Sequence, residues 1–394
     1  MPGKVLRIGI LGTTATVPTI YLPTLLSTPT LYKITAIYTT DSQPPTSFQT
    51  THPDIHYTSI PEDIILNPSI DLIITTLPTE SHEQYVLAAL DAGKHVLVET
   101  PISLGLQSAR RLIEAEKCAP NNARIFVACA RRYAPVFEEF KNQLAGMGRI
   151  YYARCRDISG PPASEQGHPW KGANGAVNGG LTNGHSSGSS GRAGIPSGEN
   201  VKSCHQLLLE IFADQDLTRD RVRLCQFLAE TGSHDLSVMR ETLGIPDAVS
   251  SVSVNDPFYS AIFHYRNRDA AGEDHPFTLL YEAGNDSVPR TDAHLAIYGE
   301  NKTVSIHFDS GELGKKVRVV VEEAEEGGGR LKTTESLSNW EDAYREQFRR
   351  LYESVAEGGD VKTSAKDAVL EVRLFRMLFE QYDRQCGTIR TPLG

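Results

Sequence analysis

The chain opens on an apolar run, Val5 to Leu11 (VLRIGIL), that ends at Gly12 and gives way to three threonines and an alanine before Pro18. A short apolar stretch closed by glycine reads as a buried strand, and proline is favoured at the first position of a helix. Strand, tight turn and helix are expected in that order. Further apolar runs follow at Ile34 to Tyr38, Leu72 to Leu77 and His95 to Val98, separated by helix-length segments such as Glu80 to Ala92, which stops at Gly93. Strands that alternate with helices pair in parallel, because each crossover carries the chain back to the same end of the sheet. Residues 1–130 are therefore expected to form a doubly wound α/β domain whose ligands bind beyond the carboxyl ends of its strands.

The remainder, 131–394, reads as a second domain, in keeping with two or three domains for 394 residues at about 150 residues each. Residues 171–200 contain nine Gly, five Ser and four Asn, which suits a flexible insertion, at about 171–203, better than a core. Beyond it, apolar runs at 249–254, 258–266, 276–282, 293–298, 302–308 and 316–322 follow one another without intervening helices. That pattern predicts a largely antiparallel sheet. Two helices close the chain. The first is expected to open with a capping box from Ser338 to Glu341 and carries Trp340, Tyr344, Phe348, Leu351 and Val355 on one face; the second carries Ala368, Val372, Phe375 and Phe379. Both stripes read as core.

Lys plus Arg total 39 against 49 Asp plus Glu, a net charge of −10 without any basic block, which argues against nucleic acid as a ligand. No run approaches the roughly 18 apolar residues of a membrane span, and the N-terminal run is too short for a signal peptide, so a cytoplasmic protein is expected. Six scattered cysteines without a CxxC pair suit reduced thiols and no structural metal. His52 and His56 flank Asp54, but Pro53 speaks against a helical ligand pair and no third ligand is evident.

Four stretches together resemble the Gfo/Idh/MocA oxidoreductases: the glycine turn with Tyr21 to Leu25 (YLPTL) beyond it, Leu77 to His82 (LPTESH), Ala92 to Pro101 (AGKHVLVETP) and Glu230 to Leu236 (ETGSHDL). The resemblance covers nearly the whole chain, including Arg131 to Pro135 (RRYAP). It implies an N-terminal Rossmann-type parallel sheet holding NAD or NADP, plus a C-terminal α/β domain with an open, largely antiparallel sheet. It also implies a small polar substrate and a homodimer or homotetramer.

Laid on this sequence, the family's GxGxxG/A turn falls on Gly12, Thr14 and Val17, so one glycine of three is kept. Backbone amides at the helix start, with the hydroxyls of Thr13, Thr14 and Thr16, are then expected to receive the phosphates. Thr39, Thr40 and Asp41 stand where the family often has the acidic residue for the ribose, leaving NAD and NADP both open. Pro78, His82 and Glu99 complete the expected cofactor contacts. The resemblance places Thr100 where the family's lysine would assist proton transfer, and threonine does not titrate near neutrality. His234 then becomes the expected proton relay, with Glu230 four residues earlier to orient it if both share a helix face. Arg131, Arg132 and Tyr133 are expected to line a polar substrate, together with Thr100.

The first functional expectation is an NAD(P)-dependent oxidoreductase moving a hydride between nicotinamide and a hydroxyl or carbonyl of a sugar-like, polyol or other small polar substrate. Loss of the lysine keeps two others open: a ligand sensor or regulatory binding protein on the same scaffold, and a lyase or isomerase using His234 and Glu230.

Overall fold

A computed structural model describes residues 4–39, 52–160, 204–212, 217–268, 272–325 and 330–386; Thr40, Asp41 and the 171–203 insertion lie outside them. The first half is a six-stranded parallel sheet of order β3-β2-β1-β4-β5-β6, built from β1 (Leu6–Leu11), β2 (Tyr32–Tyr38), β3 (His56–Thr58), β4 (Leu72–Thr75), β5 (His95–Glu99) and β6 (Ile125–Ala128). The crossovers are α1 (Leu22–Leu26), α2 (Glu62–Ile65), α3 (Thr79–Asp91) and α4 (Leu106–Cys118). The strand order reverses between β1 and β4, which opens a crevice beyond their carboxyl ends.

Alternate residues of these strands enter two cores. Ile8, Ile10, Leu72, Ile74, Leu97 and Phe126 face Tyr21, Leu22 and Leu25, while Ile73, Val96 and Val98 face Tyr85, Val86 and Ala89 of α3. The first core also takes in Phe348, Leu351 and Tyr352 of α9 (Trp340–Glu357). The penultimate helix thus returns to the domain that the chain began with.

A second sheet has eight strands in the order β14-β13-β12-β11-β7-β10-β9-β8. They are β7 (Ile150–Ser159), β8 (Ala248–Asn255), β9 (Phe258–Arg268), β10 (Asp274–Asn285), β11 (Thr291–Gly299), β12 (Lys302–Phe308), β13 (Lys316–Ala324) and β14 (Leu331–Asn339). Every pairing is antiparallel except β10 with β7. Six strands match the apolar runs of the sequence. β7 and the edge strand β14 do not; in β14, LKTTESLSN is exposed over most of its length and carries no alternation to read. The helices of this half are α5 (Pro135–Ala145), α6 (Cys204–Phe212), α7 (Arg219–Phe227), α8 (Ser233–Leu243) and α10 (Ala365–Cys386). Among the described residues no helix is long and apolar enough to cross a membrane.

The expected capping box at Ser338 does not form. Asn339 occupies the N-cap of α9, and the Glu341 carboxylate accepts instead from the Gly314 amide at 2.5 Å, tying the β12–β13 turn to the helix.

Arg132 and Tyr133, expected on the substrate, are committed to structure. Arg132 is 3% exposed; it pairs through Nε with Glu241 and donates through Nη1 to Asp367 at 2.5 Å and to Ser237 at 3.2 Å. Arg240 donates to the same Asp367 at 2.8 and 2.7 Å and to Glu371 at 3.1 Å. Tyr133 shares a 2.9 Å hydrogen bond with Thr363. The turn after β6 is thereby clamped to α8 and α10.

Removing one partner from such a buried network strands the other charges. Arg132→Ala is expected to cost about 3–5 kcal/mol in urea unfolding; a loss below about 1 kcal/mol would show the network to be dispensable. Burial alone would raise the Glu241 carboxyl, but Arg132, Lys362 and Lys141 hold it at about 2. A depressed native pKa contributes stability above the unfolded value of about 4.3 and loses it as pH falls towards 2. Glu241→Gln should flatten the fall in unfolding midpoint across that window; an unchanged slope would dismiss Glu241 as a source of acid lability.

Candidate functional site

The crevice begins at Gly12, which follows β1 with φ +110°. A Cβ there would lie 2.6 Å from Thr76 Oγ1 and 3.3 Å from the Thr76 carbonyl carbon. The turn after β1 passes the turn after β4 so closely that only glycine fits. Thr13, Thr14 and Ala15 beyond it are exposed. Among the described residues, the amides of Thr13 to Thr16 make no protein hydrogen bond. Unpaired amides at the start of a helix form a cradle for an anion.

The two missing glycines are accommodated locally. Thr14 faces solvent, so its side chain meets no protein wall, and Val17 is 2% exposed in the core with Ile8 and Tyr21. The helix enters through a π-helical turn, Val17–Tyr21, before α1. Thr39 is buried at the end of β2, its hydroxyl oxygen 3.4 Å from that of Thr13. Pro78 holds the N-cap position of α3 with extended ψ of 150°. These residues fit a dinucleotide: a glycine cradle a Cβ would fill, followed by free amides at the switch point.

His82 is placed differently from a cofactor ligand. Its ring nitrogens lie 3.0 Å from the Pro101 carbonyl and 2.9 Å from the Leu77 carbonyl. It ties the β4 and β5 turns together, and burial lowers its pKa to about 4, so it is neutral at pH 7 and donates to one carbonyl at a time.

At the end of β5, Tyr21 donates its phenol to Glu99 Oε1. Burial pushes the Glu99 carboxyl up to about 7, against the Tyr21 hydrogen bond, which favours the carboxylate. The Thr100 hydroxyl is buried with no hydrogen-bond partner, as are Ser233 Oγ and Gln347 Nε2. All three sit on elements that border the crevice. An unpaired buried polar atom costs about 1–3 kcal/mol unless a ligand or water meets it.

From the second sheet comes a buried charge cluster. Arg131 donates to Asp235 at 2.5 Å and to Asp157 at 2.8 Å, and stacks 4.9 Å from the Phe308 ring centre. Tyr281 donates to Asp235 at 2.8 Å, and Ser159 to Asp157 at 3.0 Å. Burial and then the neighbouring Asp157 raise the Asp235 carboxyl, with Arg131 opposing them. His234, next along α8, is partly exposed and its ring makes no protein hydrogen bond among the described residues. Burial and then the positive charge of Arg131 lower its pKa to about 4.

The structure therefore brings Glu99, Tyr21, Arg131 and His234 to the crevice side of the two sheets, linked through Tyr344, which feels both Glu99 and Arg131. It does not bring Glu230 to His234. Glu230 is exposed on the π-helical turn Leu228–Gly232, where its electrostatic neighbours are Arg223 and Tyr259. Sequence reading missed Tyr21, Asp157, Asp235, Tyr281 and Tyr344 as site residues. Asp157 and Tyr281 sit in strand patterns and Tyr344 in a helix stripe, so nothing local marked them. Among the described residues no group of three or more His, Cys, Asp or Glu is arranged to hold a metal ion.

Gly12→Ala is expected to destabilise the protein by about 1–3 kcal/mol in chemical unfolding, through its left-handed backbone and the Thr76 contact. Adding Thr76→Ala should recover part of that loss; no recovery would locate the strain in the backbone alone.

Comparison with known proteins matches residues 6–128 to an oxidoreductase family with an NAD-binding Rossmann fold. The uncharacterized oxidoreductase YdgJ of Escherichia coli is 30% identical over 149 residues, 37% of this chain and 41% of that protein. The myo-inositol 2-dehydrogenase of Thermotoga maritima is 31% identical over 106 residues, 26% of this chain and 31% of that one. The chain thus matches well under half the length of these relatives. Among solved structures, the putative oxidoreductase yvaA of Bacillus subtilis superposes with a TM-score of 0.68 at 16% identity, over 97% of this chain and 98% of that one. KijD10, a 3-ketoreductase from Actinomadura kijaniata solved as a point mutant with TDP-benzene and NADP, gives a TM-score of 0.64 at 14% identity, over 94% and 96% of the two chains. These likenesses extend the fold over both sheets. Over residues 6–128, then, the chain is similar to the NAD-binding Rossmann domain of the Gfo/Idh/MocA oxidoreductases.

Proposed function

We propose that the protein is an NAD(P)-dependent oxidoreductase acting on a hydroxyl or carbonyl of a sugar-like, polyol or other small polar substrate. The observation that carries this reading is the Gly12 cradle with its free amides at the switch point, with the unpaired ring of His234 beside Arg131 in support. The inositol 2-dehydrogenases among the relatives and the NADP-bound 3-ketoreductase among the structures support the same substrate class.

In this reading Gly12 and the amides of Thr13 to Thr16 bind the pyrophosphate. Thr39 and Asp41 meet the adenosine ribose and decide between NAD and NADP. The bound nicotinamide supplies the hydride chemistry. Arg131 orients Asp235, and burial together with the Arg131 charge keeps His234 neutral and ready to accept a hydrogen bond from the substrate hydroxyl. The unpaired hydroxyls of Thr100 and Ser233 are available to polar substrate groups. The partly exposed face of the second sheet, with Tyr152, Arg154, Glu282 and Tyr298, is the surface we assign to a homodimer or homotetramer. A cytoplasmic setting suits the free cysteines.

Titration of the purified chain with NADH and NADPH, followed by nucleotide fluorescence and calorimetry, tests the reading. Micromolar binding of one is expected; none at millimolar concentration would overturn it. Binding without turnover across a panel of polyols and sugars would favour a ligand sensor. His234→Ala should lower the turnover rate by at least about 10²-fold while leaving dinucleotide affinity nearly unchanged. An unaltered rate would show that the His234 ring does not engage the substrate.

A further inference from the structure

Oxidation of a secondary alcohol breaks a C–H and an O–H bond: the alcohol and NAD(P)+ give the ketone, NAD(P)H and one proton. The C–H electron pair and its hydrogen reduce the nicotinamide, and the O–H proton is left for a protein group. This inference rests on the oxidoreductase reading and asks which side chain takes that proton.

Most titratable groups at the crevice are already committed. Asp235 is held by Arg131 and Tyr281, and Asp157 by Arg131 and Ser159. Thr100 does not titrate near neutrality. His234 is open, but both its burial and Arg131 oppose the imidazolium, with a pKa of about 4. It can pass a proton on but holds one poorly at pH 7.

Glu99 is different. It ends β5 and immediately precedes Thr100, its side chain is partly exposed, and only one of its oxygens is occupied. Tyr21, from the π-helical turn after β1, fixes Oε1. Among the described residues Oε2 has no protein partner, and it is not sealed from solvent. The other titratable group facing it, Tyr344 of α9, gives its phenol to the Gly311 carbonyl at 3.0 Å and does not compete for the carboxylate. Arg131, which acts on Tyr344 as Glu99 does, is itself paired with Asp235 and Asp157.

We propose that Glu99 is the acid–base group of this site: Oε2 takes the proton from the substrate hydroxyl during oxidation and returns it to the carbonyl oxygen during reduction, while Tyr21 positions the carboxyl through Oε1. A carboxyl raised to about 7 is poised for that exchange near neutral pH. Ionised above that value, it favours oxidation as pH rises; protonated below it, it favours reduction as pH falls. Tyr21 lowers the carboxyl through its hydrogen bond, so its loss should raise the inflection further.

The test uses the full chain, wild type and the variants Glu99→Gln and Tyr21→Phe, labelled with 13C at the glutamate carboxyls. The resonance missing from Glu99→Gln is expected to titrate near pH 7 in the wild type and higher in Tyr21→Phe. Titration in the ordinary carboxylate range would overturn the proposal without any need for turnover. With myo-inositol as the probe, Glu99→Gln should lower kcat by about 10²- to 10⁴-fold and erase the inflection in kcat/KM, while the NADH dissociation constant stays within about twofold. Tyr21→Phe should keep most of kcat and move the inflection upward, a shift that a merely structural tyrosine would not produce. If neither dinucleotide binds, the oxidoreductase reading falls and this proposal with it. If dinucleotide binds and the profile survives in Glu99→Gln, this proposal alone falls.

Discussion

Two neighbouring arginines after β6 hold the two halves of the molecule in register. Arg131 reaches Asp235 on α8 and Asp157 on β7, and Arg132 reaches Glu241 and Ser237 on α8 and Asp367 on α10. Each guanidinium fork spans carboxylates from different elements, which a lysine with its single ammonium could not do in the same geometry. Buried pairs of this kind add little net stability over a well-packed apolar core, yet they penalise every misplacement of the elements that carry them. Three of these contacts converge on α8, and they fix its position together with the core packing of Leu236, Val238 and Met239. The ring of His234 is placed by that clamp.

The glycine turn shows how a motif loses residues without losing its shape. Of the three family positions only Gly12 carries a backbone demand that no other residue meets, a left-handed φ beside the Thr76 turn. Thr14 replaces a glycine where the side chain faces solvent, and Val17 where the helix has entered through a π turn and the extra volume completes the core. The departures fall where the local packing tolerates them. Thr100, where the resemblance would expect a lysine, is of another kind, because it offers no titratable group and leaves a buried hydroxyl unpaired. Two neighbouring groups have their charge set by surroundings: Glu99 is raised by burial, and His234 is lowered by burial and Arg131.

Much of the fold could be read from the chain. Four of the six parallel strands, β1, β2, β4 and β5, appeared as short apolar runs because both faces of that sheet are covered, whereas β3 and β6 were not read; six strands of the second sheet showed alternation because one face is partly open. The strands β7 and β14 and the N-cap of α9 escaped, β14 because an exposed edge needs no apolar face, the N-cap because Glu341 accepts from Gly314 instead. At the site, Gly12 stood out by its place after the first strand, and His234 and Glu99 through the family resemblance. Glu230 was drawn to His234 by an i, i+4 rule that assumes an unbroken α-helix, and the π turn at Leu228–Gly232 sends it instead towards Arg223 and Tyr259.

By itself the sequence determined the doubly wound first domain, the sheet-rich second one and the identity of the groups able to carry protons, since periodicity and residue chemistry are local properties. The pairing of those groups was decided only in three dimensions. Tyr21 and Glu99 are 78 positions apart, and Arg131 and Asp235 are 104 apart. Their hydrogen bonds, and the burial that shifts their protons, exist only after strands, helices and turns from both domains have closed around one crevice.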